Sequence, residues 1–146
     1  MGFCFFDNVA IAARHAQRKY GIERAAIVDF DVHHGNGTQD IFWSDPSVLY
    51  CSTHQMPLYP GTGSVNETGV GNIVNAPLRP GDGGDAFREA VETRILPALQ
   101  RFGPDLVMVS ARSSSASWRR RASGKARSAS GDEIVSRRGV LMTVTG

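Results

Sequence analysis

Apolar positions along this chain fall into two helical stripes and three short strand-like runs, separated by turn residues. Val9, Ala12, Ala13 and Ala16 recur at helical spacing, which predicts a helix over Val9–Tyr20, capped by Asp7 or Asn8 and stopped by Gly21. Ala25–Asp29 follows as a small, apolar strand with an acidic end. Thr38–Trp43 predicts a short second helix, ended by Asp45-Pro46 because the residue before proline disfavours helical angles. Val48–Ser52 and Asp105–Ser110 read as two further strands. Between them, Ala86–Arg101 carries Phe87, Val91, Ile95 and Leu99 on one helical face. Pro97 conflicts with that helix and predicts a kink or a shortening, since proline has no backbone donor. Thr53–Asp85 shows no sustained period and is rich in Gly and Pro, so it reads as one long loop, functional or disordered. Strands alternating with helices predict an α/β fold, a partial parallel sheet with flanking helices, with ligands beyond the carboxyl ends of the strands.

Length and charge sharpen this picture. A chain of 146 residues has room for one domain with a core and not for two. Residues 1–110 hold 8 Lys/Arg and 12 Asp/Glu, net −4, whereas residues 111–146 hold 8 and 2, net +6. A domain is therefore expected over 1–111 and a separate Arg/Ser-rich tail over 112–146. Cys4 and Cys51 are too few for a disulfide framework, which points to a reducing cytoplasm. Met1–Ala13 lacks a positive start and is broken by Asp7-Asn8, which argues against a signal peptide. No run approaches the roughly 18 apolar residues of a spanning helix, so no membrane role is expected.

The chemistry concentrates in Asp29-Phe30-Asp31-Val32-His33-His34-Gly35-Asn36-Gly37, just past the first strand. Alternation along a strand would put Asp29, Asp31 and His33 on one side. Two carboxylates and an imidazole at a strand end suit a divalent metal of zinc type. The bland alternative is a solvated acidic loop with incidental histidines. The apolar strand leading in weighs against it, because burying such groups without compensation is costly. His15, inside the first helix, reads as a surface or packing residue.

The stretch DFDVHHGNGTQ resembles the metal-binding motif of the histone deacetylase family, zinc-dependent amide hydrolases with an arginase/deacetylase fold. Collinear matches are GFCFFDNVAIAARHAQ at Gly2–Gln17, SVLYCSTHQMPLYPGTG at Ser47–Gly63, VNAPL at Val74–Leu78 and PDLVMVSA at Pro104–Ala111. Asn36 and the STHQ…YPGTG loop look more like the class II branch, which includes bacterial-type members, than like class I. The resemblance implies that Asp31 and His33 are zinc ligands, and that Asp29 stands behind them supporting a catalytic histidine. It implies a potassium-type cation held by Asp29, Asp31, the His33 backbone, Ser52 and the Thr53 backbone. Asn36 matches the position that orients a second catalytic histidine, and His34 a packing or hydrogen-bonding place. Phe3 and Tyr59 match the aromatic walls of a channel for an acyl-lysine stem, with Gly61 and Gly63 keeping its loop tight. The implied substrate is an acetylated protein or a small acetylated amine.

The resemblance covers about the first 111 residues of a family domain that is much longer, so the chain reads as a fragment short of the pattern at both ends. The family's proton-transfer histidines would precede Gly2. Its third zinc ligand would fall where Arg112-Ser113-Ser114 stands, and its oxyanion tyrosine has no counterpart. Two ligands should hold zinc weakly, so this chain alone is expected to be inactive, with no catalytic residue retained. RSSSASWRRRASGKARSAS is too poor in apolar residues to order, and only Val140-Leu141-Met142, with Val144 just beyond, offers an apolar run. Three explanations stay open: a change of reading frame near codon 111, a genuine basic tail, or a truncated pseudoenzyme acting as a partner module. Arg119-Arg120-Arg121 beside Trp118 would suit phosphate contact and stacking, but basic tails are commonly only solvated, so nucleic-acid binding through the tail is not expected. Oligomeric state is left open.

Overall fold

A computed structural model describes residues 6–111 and the backbone of Val140–Val144. It begins with helix α1, Asn8–Tyr20. One Asp7 carboxylate oxygen accepts from the Ala10 amide at 3.0 Å, and the other accepts the Thr38 hydroxyl at 2.7 Å. The cap thus also fastens α1 to the next helix. Gly21, at φ +66°, ends α1 in the left-handed conformation that glycine takes without strain.

Strand β1 is Ala25–Asp29, helix α2 is Asn36–Ile41 and strand β2 is Val48–Gln55. Strand β3, Ile73–Leu78, lies inside the stretch that the sequence presents as one loop. Pro77 and Asn75 mask it, yet β3 is an edge strand, where a missing donor is tolerated. Helix α3, Gly84–Ala90, widens into a π-helical turn over Val91–Ile95 and resumes as α4, Leu96–Phe102. Pro97 therefore sits in the first turn of α4, just past the π-helical turn, rather than in the middle of an unbroken α-helix. Strand β4 is Leu106–Ser110 and strand β5 is Val140–Val144. Of the tail, 112–139 and 145–146 lie outside the described residues, as do the disorder and nucleic-acid expectations placed on them. The apolar run at its end is described, as β5.

The sheet is parallel throughout, in the order β3-β2-β1-β4-β5. On one face, Val9, Ala13 and Ala16 of α1 meet Ala25, Ile27, Val48, Tyr50, Leu106 and Met108. On the other, Ile95 and Ala98 meet Ala26, Leu49 and Cys51. A sheet buried on both sides explains strands that read as continuous apolar runs. The strand order reverses direction at β1, so the crevice between β1 and β4 is the place where open sheets of this kind bind ligands. Register sets Asp29 opposite both Ser52 and Ser110, at one level of that crevice.

Candidate functional site

Asp31 and His33 reach the site by turns, not by strand alternation. The strand ends at Asp29, and beyond it the side chains bond their own backbone. Asp29 Oδ1 accepts from the Asp31 amide at 3.1 Å, and Asp31 Oδ1 accepts from the His33 amide at 2.9 Å. Such turns are a standard device of aspartate. On either side, the Phe30 amide donates to the Ser110 carbonyl and the Gln55 amide to the Val32 carbonyl. The segment is thereby pinned between β4 and β2. His33 Nδ1 stands 3.4 Å from Asp31 Oδ1, with both side chains partly exposed.

Asp29 lies deeper, at 5% exposure. Burial lifts its carboxyl to about 6, the Asp31 amide pulls it back, and the Asp31 charge raises it again. The Tyr50 hydroxyl donates to its Oδ2 at 3.3 Å. No cationic side chain pairs with Asp29 among the described residues. Gly35 lets the chain pass close: a Cβ there would lie 2.5 Å from the Tyr50 hydroxyl and 2.6 Å from Asp29 Oδ2.

A buried polar network joins this segment to the loop after β2. Glu67 accepts from the Gly63 amide at 3.0 Å, the Ser64 amide at 2.9 Å and Gln39 Nε2 at 2.6 Å. Gln39 Oε1, left as an acceptor, takes His34 Nε2 at 3.1 Å and Asn75 Nδ2 at 2.8 Å. His34 must then carry its proton on Nε2, so Nδ1 accepts the Thr62 hydroxyl at 2.7 Å. Burial, and next the neighbouring His54, lower His34 to about 4, so the ring is neutral at pH 7. Sequence reasoning gave His34 a structural role, which these bonds specify. It missed Gln39, His54, Glu67 and Asn75: three of them lie in the matched stretches, where the resemblance names no role for them, and only the fold brings the four together. Buried Thr53 Oγ1 and Asn75 Oδ1 have no hydrogen-bond partner.

The structure thus brings together Asp29, Asp31 and His33, with Ser52 and Thr53 across from them on β2. Asn36 opens α2 next to this segment, and its amide donates to the His34 carbonyl. Tyr59 stands 61% exposed in the loop after β2, and Phe3 lies outside the described residues. Cys51 is buried, which pushes its thiol up to about 12 and removes it from nucleophilic chemistry. His15 is exposed, edge-on to Tyr20. As a zinc site, Asp31 and His33 supply two accessible donors of the right types. Among the described residues no group of three His, Cys, Asp or Glu side chains is placed to hold a metal. As a monovalent-cation site, the buried Asp29 carboxylate without a cationic partner fits, with the Ser52 hydroxyl opposite it.

Residues 1–117 match the family model described as the histone deacetylase domain. The chain is 54% identical over 115 residues to Histone deacetylase 14, chloroplastic, of Arabidopsis thaliana, covering 76% of this chain and 27% of that protein. It is 47% identical over 114 residues to the Histone deacetylase-like amidohydrolase of Pseudomonas aeruginosa, covering 75% and 30%. Among solved structures, acetylpolyamine aminohydrolase from Burkholderia pseudomallei superimposes with a TM-score of 0.71 at 39% identity, covering 76% of this chain and 34% of that one. The chain therefore spans about a third or less of the length of these relatives.

Proposed function

Because the chain belongs to the histone deacetylase domain family, we propose that it carries part of a zinc-dependent deacetylase site, with Asp31 and His33 as two of the metal's ligands. The observation that carries this reading is the Asp31–His33 pair, 3.4 Å apart and partly exposed, at the carboxyl end of β1 where the strand order reverses. The substrate class is an acetylated amine, as acyl-lysine in a protein or as a small acetylated polyamine. Tyr59, and Phe3 at the start of the chain, would flank its stem. A bound zinc ion would supply Lewis acidity to the amide carbonyl and to the attacking water.

The chain's own residues do the positioning. The Asp29 and Asp31 side chains accept amides two residues on, which fixes the donor pair in place before any metal arrives. Asp29 and Ser52, with the backbones of Asp31, His33 and Thr53, would hold a monovalent cation behind the pair. That charge would compensate the buried Asp29 carboxylate. With two donors, this chain alone holds zinc weakly and does not turn over substrate.

Calorimetric titration of the 146-residue chain with zinc, beside an assay on an acetyl-lysine peptide, tests the reading. Weak zinc binding that Asp31→Asn abolishes, without deacetylation above background, is the expected result. Equal zinc affinity in Asp31→Asn, or no zinc binding by the wild type, contradicts the ligand assignment. Turnover by the wild type contradicts the inactivity.

A further inference from the structure

His54 is fully buried at the carboxyl end of β2, in the STHQ stretch, where the resemblance gives it no role. Its two ring nitrogens have different partners. Nε2 lies 3.0 Å from the Gly63 carbonyl oxygen, and Nδ1 lies 2.9 Å from the Ser52 hydroxyl. A carbonyl only accepts, so the ring proton sits on Nε2. With its proton on Nε2, the ring leaves Nδ1 as an acceptor. The Ser52 hydroxyl must therefore donate to it. Gly63, at φ +94°, passes so close that a Cβ there would collide with the His54 ring, so that partner is fixed by the backbone.

This fixes the rotor of Ser52. Ser52 faces Asp29 across the β1–β2 register, and its side chain is on the same side of the sheet as Tyr50 and His54. Left to itself, a serine hydroxyl beside a buried carboxylate points its hydrogen at the carboxylate. That orientation would present a positive end to any cation approaching Asp29. With its hydrogen committed to His54, the Ser52 oxygen can turn a lone pair to a cation, beside the Tyr50 hydroxyl that also neighbours it.

We propose that His54 is a positioning residue for a monovalent cation beside Asp29: through Nδ1 it turns the Ser52 hydroxyl so that its oxygen faces the ion. This rests on the cation reading proposed above and adds to it a residue that touches no ion. The preference is chemical and two-sided. His54 must accept on Nδ1 and donate on Nε2, so either half can be removed alone. An asparagine amide oxygen falls near Nδ1, and a glutamine amide nitrogen falls near Nε2.

The test is the melting temperature of the full chain as potassium chloride replaces tetramethylammonium chloride at constant ionic strength, since a ligand that binds only the folded state raises stability by mass action. The wild type is expected to gain stability with potassium. His54→Asn keeps most of that response, whereas His54→Gln loses apparent potassium affinity by roughly fivefold, the worth of one hydrogen bond. A His54→Gln response equal to the wild type, or equal losses in both variants, overturns the role of His54 alone. A wild type indifferent to potassium overturns the cation reading and this proposal with it. Should both variants fail to fold, long-range proton–nitrogen correlation spectra of the wild type decide. A proton on His54 Nε2, with a Nδ1 resonance that moves as potassium is added, is expected. A proton on Nδ1, or a Nδ1 resonance that stays still, overturns the assignment.

Discussion

At the scale of single residues, His34 converts burial into a pH dependence. Its ring is 3% exposed and its pKa falls from 6.5 to about 4, through burial first and the nearby His54 second. The unfolded chain takes up this proton near 6.5 and the folded chain near 4, so the contribution is fully present above 6.5 and is lost as pH falls towards 4. His34→Gln keeps an amide for Thr62 and Gln39 but has nothing to titrate. The stability difference, wild type minus variant, should therefore shrink by about 2–3 kcal/mol between pH 7.5 and 4.5. Urea midpoints at the two pH values measure it, and an unchanged difference contradicts a neutral, buried His34. Adjacent His33 shows how little spacing alone tells. The two histidines are neighbours in sequence, yet His33 is partly exposed beside Asp31 and His34 is sealed under the loop. The motif resemblance assigns them different roles, whereas the partners of His34, Gln39 five residues on and Thr62 in the loop after β2, carry no local signal.

At the scale of elements, Asn72 is the clamp that lets the long segment after β2 return as β3. Its amide nitrogen lies 2.7 Å from the Phe42 carbonyl and 2.9 Å from both the Asp45 and Val48 carbonyls, and the side chain is 4% exposed. One side chain thus joins the end of α2, the turn before β2 and the entry to β3. Asn72→Ala removes the buried donor that these three carbonyls share and should cost about 1–2 kcal/mol, read as a lower urea midpoint with secondary structure retained. A loss within 0.5 kcal/mol, the range of ordinary surface changes, contradicts the clamp. α1, β1, β2 and β4 were legible because each carries an uninterrupted apolar period. β3 was not, because Asn75 faces the polar network and Pro77 breaks the run. Its only local signal is Ile73-Val74, two β-branched residues in a Gly- and Pro-rich context.

At the scale of the whole molecule, topology explains why the site is where it is. The parallel order β3-β2-β1-β4-β5 opens a crevice at β1. Acidic and imidazole groups gathered there are costly unless a cation compensates them, which is why the buried Asp29 carboxyl is pushed up to about 6. The α/β class followed from strands alternating with helices. The expected place of the candidate site came from an apolar strand that ends in acid. The three-dimensional reason did not follow, because Asp31 and His33 come together through aspartate turns that a period-2 reading overlooks.

The central claim, that Asp31 and His33 together bind a metal, is tested most directly by crystals of the 146-residue chain soaked in zinc. Anomalous difference maps on either side of the zinc edge would locate the ion. A peak that appears only above the edge, within bonding distance of both an Asp31 carboxylate oxygen and a His33 ring nitrogen, is the predicted result. Zinc found only elsewhere, for example on exposed His15, with that pair bare, would contradict it.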